Sequence, residues 1–273
     1  MTEYRNVEIL GVGTQPGGRY GKVLIAGSGK LTGAVECESF ELPGAGKVAE
    51  GGLTVHGPLR CFGAGKVEGP VSAASLEVSG SFKSEGPCLI EGDAEIAGSM
   101  KAEGALTVRG KAEVAGSMKS EGDMSVGVLK VAGSVKSEGS LKAAEISVNG
   151  TLSVDAGVQA ERFHADGIVK IEGELNADVV ELMLVGQDEI ESVVGGSVTV
   201  RKQKSGFFFS FGKRPHLLSA LIEADEVDLE YTDCETVRGV NVHVGSECVI
   251  DRVEYSGTLT TDPCAQIGEK VKI

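Results

Sequence analysis

From Ser75 to Gly139, apolar and polar positions alternate in short units that close on glycine: SLEVSG, SFKSEG, PCLIEG, DAEIAG, SMKAEG, ALTVRG, KAEVAG, SMKSEG, a five-residue DMSVG, VLKVAG and SVKSEG. The bulkier apolar residues take the second and fourth places, as in Leu76 and Val78, Cys88 and Ile90, or Leu106 and Val108. Such alternation predicts a strand with one buried face, and the closing glycine predicts a corner. A longer period lies over the short one. SGSFKSEG, AGSMKAEG, AGSMKSEG and AGSVKSEG begin at Ser79, Ala97, Ala115 and Ala132, at offsets of 18, 18 and 17 residues. Three units therefore make one coil, and the fold class is an all-β parallel β-helix, a β-solenoid with three faces and about 18 residues per coil.

Stacking such coils places equivalent residues above one another. Phe82, Met100, Met118 and Val135 are expected in one inward column, and Val78, Ile96, Val114 and Val131 in another. Ser84, Ala102, Ser120 and Ser137 form a third column of small residues. Burial contributes about 1.5 to 3 kcal/mol per large aliphatic side chain, so a charge at Phe82 or Val114 is expected to disrupt the fold. Outward, Lys83, Lys101, Lys119 and Lys136 run beside Glu85, Glu103, Glu121 and Glu138. The expected result is a solvated salt-bridge ladder that deters sideways sheet addition.

Four segments follow from the pattern. Residues 1–22 are a glycine-rich segment and candidate partial cap; residues 23–200 are solenoid, with about ten coils and a length of roughly 50 Å. Residues 201–218 contain an insertion, RKQKSGFFFSFGKRPH, with five Lys or Arg, no acid, and four of the eight phenylalanines of the chain. Strand-like alternation resumes over residues 219–273. The early coils are expected to bulge, because Pro43, Pro58 and Pro70 fall at their corners. The last strand pattern ends in KVKI, which places Val271 and Ile273 on an open apolar cross-section and makes them candidate polymerisation residues.

Composition narrows the function classes. With 40 glycines among 273 residues, no tryptophan and 4% aromatic residues, the chain suits a narrow aliphatic core. A net charge of -14 argues against nucleic acid as a partner. No apolar h-region and no run of eighteen apolar residues occurs, so a cytoplasmic protein is expected. Cys37, Cys61 and Cys88 fall at inward positions, and no CxxC pair is present, so structural thiols are expected rather than a metal site. The GK pairs at Gly21, Gly29, Gly46 and Gly65 are followed by Val, Leu, Val and Val, where a phosphate loop needs Ser or Thr, and no cofactor is expected.

The insertion is the sharpest local signal. Arg201, Lys202, Lys204, Lys213 and Arg214 would meet anionic lipid while Phe207, Phe208, Phe209 and Phe211 enter the headgroup boundary; the alternatives are packing back on the solenoid and a protein partner. No catalytic residue is assigned. His56, His164, His216 and His243 are scattered, and His243 in VNVHVGSECVI invites comparison with hexapeptide-repeat acyltransferases, which also use a histidine on a solenoid. A polysaccharide-acting β-helix is disfavoured by the lack of tryptophan and by the spread of the acids.

The repeats SFKSEG, SMKAEG, SMKSEG and SVKSEG, together with VRGVNVHVGSECVIDRVEYSG, resemble the bactofilins, a bacterial family of polymer-forming cytoskeletal proteins. The resemblance spans most of the chain from about Val23. It implies a right-handed β-helix that polymerises end to end without nucleotide, alone or with a paralogous bactofilin. It further implies peripheral attachment at the inner face of the cell membrane, cell-envelope or motility proteins as partners, and no enzymatic activity. The alternative is a solenoid acyltransferase acting through a pocket between coils.

Overall fold

The structure is a computed structural model and describes residues 4–203 and 214–273. It is an all-β solenoid, and the chain divides into two compact units, Met1–Gly139 and Ser140–Ile273. The first holds strands β1 (Val7–Ile9) to β15 (Ser134–Ser137), the second β16 (Leu141–Val148) to β24 (Gln266–Lys272). Every pairing recorded within either unit is parallel.

In the first unit the sequence offsets become the register. Ser81 pairs with Ser99, Ser99 with Ser117, and Ser117 with Ser134. The predicted columns form as read: Phe82, Met100, Met118 and Val135 are aligned and buried, as are Val78, Ile96, Val114 and Val131. The small-residue column has a chemical reason beyond its size. Ser84 and Ser120 are fully buried, and each hydroxyl faces a carbonyl oxygen two residues ahead: Gly86 at 3.0 Å and Gly122 at 2.9 Å. The core thus keeps its hydroxyls hydrogen-bonded.

Glycine serves two spatial purposes. At the corners Gly63, Gly80, Gly98, Gly116 and Gly133 stack so closely that a Cβ on Gly98 would lie 2.0 Å from the carbonyl oxygen of Gly80. Space, rather than a left-handed backbone, makes these corners glycine. In the earlier coils Gly29, Gly46 and Gly65 occupy the column that Phe82 and Met100 fill later. There Ile25 and Leu42 reach across instead, and a Cβ on Gly46 would come within 2.6 Å of Leu42. Large and small residues exchange faces from coil to coil, and the cross-section stays filled. The expected bulges are present, with register shifts between Cys37 and Phe40 and between Val55 and Pro58. At the intervening corner Glu50, Gly51 and Gly52 all take positive φ, at 62°, 102° and 85°.

In the second unit β20 (Gln187–Lys202) continues through Arg201 and Lys202, which stay in register with Met183 and Leu184 of β19 (Ile168–Leu184). β21 (His216–Leu229) then starts before Leu217. The strands therefore take up both ends of the segment read as residues 201–218. β22 (Thr232–Val244) and β23 (Val249–Thr261) add further coils by the same register. The terminal pattern sits one place away from the sequence reading. Val271 pairs with outward Glu254, while Lys270 stands over buried Val253 and Ile267 over buried Ile250. The hydrogen-bonded register, which alternation within KVKI does not encode, decides this phase.

Candidate functional site

The Lys and Glu columns of the first unit form a continuous ladder, and its strongest rungs run between coils. Lys66 lies 2.7 Å from Glu85 of the next coil and 3.3 Å from Glu68 of its own. The pattern repeats for Lys83 with Glu103 (2.7 Å), Lys101 with Glu121 (2.7 Å) and Lys119 with Glu138 (2.8 Å). Hydrogen bonds from these lysines, above all from the preceding coil, hold Glu85 and Glu103 below the usual carboxylate range. Each coil thus presents a lysine to the acid of the coil that follows, so the surface is complementary to its own repeat.

The basic residues flanking the insertion are partly committed to the solenoid. Arg201 bonds Glu230 at 2.9 Å and also contacts Asp228, and the Lys202 ammonium sits 4.9 Å from the centre of the Tyr231 ring. Arg214 is exposed. Lys204, Phe207, Phe208, Phe209, Phe211 and Lys213 lie outside the described residues.

One face of the second unit carries a shallow groove of about 580 Å³. Glu189, Glu191, Asp233, Glu235 and Asp251 line it, and its lysine, Lys170, is held by Glu172 at 2.6 Å. On another face Asp228 accepts from His243 Nδ1 at 2.7 Å, with Thr199 and Thr260 in the same outward row. His164 is held between Asp166 (3.1 Å) and Glu181 (3.2 Å). His216 and Asp233 touch at 2.9 Å, off the hydrogen-bonding direction. Four histidines on four separate outward sites each meet at least one carboxylate.

Cys37, Cys61 and Cys88 are buried where the alternation placed them, and burial pushes the Cys88 thiol up to about 12. Sequence reasoning missed Asp188. It is 1% exposed, and its carboxylate accepts the Val169 N–H at 3.0 Å. The signal was available, because Asp188 precedes Ile190 by two places and so shares its inward phase.

These features define a β-solenoid whose filled core and ion-paired surface both match one coil to the next. No family model matches the chain, and no solved structure matches it. It is similar to the uncharacterized proteins YhbF and YhbE of Bacillus subtilis (strain 168), at 35% identity over 101 residues and 36% over 104. Each match covers 37% of this chain, and 42% and 44% of the respective relative, less than half of its length.

Proposed function

We propose that the chain is a non-enzymatic scaffold that assembles end to end through the faces of its solenoid, without nucleotide. The observation that carries this reading is coil-to-coil complementarity. Inward columns, corner glycines and the Lys–Glu ladder each repeat in register, so a coil is built to receive another like it. In the second unit Leu259 stands over buried Val242 and Ile267 over buried Ile250, and both are half-exposed. A coil from a second copy, or from a paralogue, would cover them. The resemblance to bactofilins supports the same assignment and adds attachment at the inner face of the cell membrane, in cell-shape, cell-wall or motility processes. With Arg201 and Lys202 engaged on the solenoid, that contact falls to Lys204, the four phenylalanines from Phe207 to Phe211, Lys213 and Arg214.

Negative-stain microscopy of purified protein without nucleotide tests the assignment. Smooth filaments are expected, and Ile267→Asp is expected to abolish them while far-UV circular dichroism of the monomer is retained. Val271→Asp and a change at Ile273 probe the rim of the same face and should weaken assembly less. Discrete trimers from wild-type protein would overturn the scaffold and favour the acyltransferase. Serine at all four phenylalanines should lower co-sedimentation with anionic liposomes; undiminished binding would remove the membrane contact.

A further inference from the structure

Asp188 interrupts an inward column of the second unit. Leu152 pairs with Val169, and Asp188 in turn pairs with Leu217, so the carboxyl lies between buried aliphatic side chains of the coils on either side. It is the one buried carboxylate among the described residues. Its position is also particular. The β20–β21 seam, where Asp188 sits, is the one across which the chain leaves at Lys202 and returns at His216.

We propose that Asp188 makes this seam a pH-sensitive latch: with its proton in place the coils of β19, β20 and β21 close over it, and loss of that proton loosens the base of the insertion.

The surroundings supply no counter-charge. Lys170 and Glu172 on β19, Glu189 and Glu191 on β20, His216 on β21 and Asp233 on β22 all stand at outward positions, and Lys170 is already held by Glu172. The carboxyl meets a single backbone donor, the Val169 N–H, and burial outweighs that bond, pushing Asp188 up to about 7. The sign follows from linkage. Once the seam opens, Asp188 returns to an ordinary carboxyl that ionises near pH 4. Between about pH 4 and about 7 the open form is ionised and the closed form is not, so the opening constant rises about tenfold per pH unit. Above about 7 both forms are ionised and the constant levels off. The latch is tight in acid and loosest from neutrality upward.

Hydrogen exchange of the full chain from pH 5 to 8 tests this, with each rate corrected for the intrinsic pH dependence of exchange. A coil of the first unit over residues 94–114 provides the internal reference, and Asp188→Asn the comparison. In wild-type protein, protection around Val169 and Leu217 should fall about tenfold per unit from pH 5 to 7 relative to the variant, then stay level. Parallel profiles for wild type and variant would overturn the latch. If Asp188→Asn does not fold, the Asp188 carboxyl of wild-type protein is titrated by carbon-13 NMR. A midpoint near 7 supports the proposal, and one near 4 overturns it.

Discussion

Replacing Gly98 by alanine tests whether the corners are glycine for space. An alanine Cβ there would lie 2.0 Å from the Gly80 oxygen and 2.5 Å from the Ser79 oxygen, so the corner must move by about an ångström to reach a permitted separation. Two ladder bonds run through that point, Gly98 N–H to Val78 O at 2.9 Å and Ser99 N–H to Gly80 O at 2.8 Å. Weakening both costs about 0.5 to 1.5 kcal/mol each, and overpacking adds about 1 to 3, for a total of about 2 to 6 kcal/mol. Gly11 is the matched control, because a Cβ there meets nothing within 4 Å and Gly11→Ala should change stability by about 0.5 kcal/mol or less. Urea unfolding followed by far-UV circular dichroism gives the comparison as midpoints, since stacked coils need not unfold in one step. Equal midpoints for the two variants would refute the spatial account.

The ladder and the thiols give two further tests. Glu68, Glu85 and Glu103 are held below the usual carboxylate range by their lysine hydrogen bonds, so the stability they contribute is present above about pH 4.5 and lost as pH falls through their lowered values. The thermal midpoint of wild-type protein should therefore drop more steeply between pH 5 and 3 than that of Glu103→Gln; identical slopes would show the ladder to be inert. Cys264 is exposed while the other five cysteines are buried, so a maleimide should label one thiol per native chain and six after denaturation. Rapid labelling of Cys88 in the native state would contradict its place in the core.

Much of the architecture was legible because a stacked fold repeats its contacts in sequence. The columns at Phe82 and Val78 could be read from spacing alone, as could the burial of Cys37, Cys61 and Cys88. The candidate surfaces were less legible. Arg201 and Lys202 looked free because their partners, Glu230, Asp228 and Tyr231, stand in a coil that follows the insertion. Local charge says nothing about a partner some thirty residues away.

The sequence by itself determined the strand period, the coil length and, in the regular repeats from Ser75 to Gly139, which side chains face the core, because all three are carried by alternation and by a nearly constant offset. Tertiary structure decided what depends on distances between coils. It showed that the corner glycines make room for carbonyl oxygens, that Lys66, Lys83, Lys101 and Lys119 favour the following coil's acid, and that Ile267 rather than Val271 continues an inward column. It also showed that Asp188 lies inside. The physical reason is shared: a one-residue difference in register turns a side chain from solvent to core, and register is fixed by hydrogen bonds between coils rather than by the residues of one.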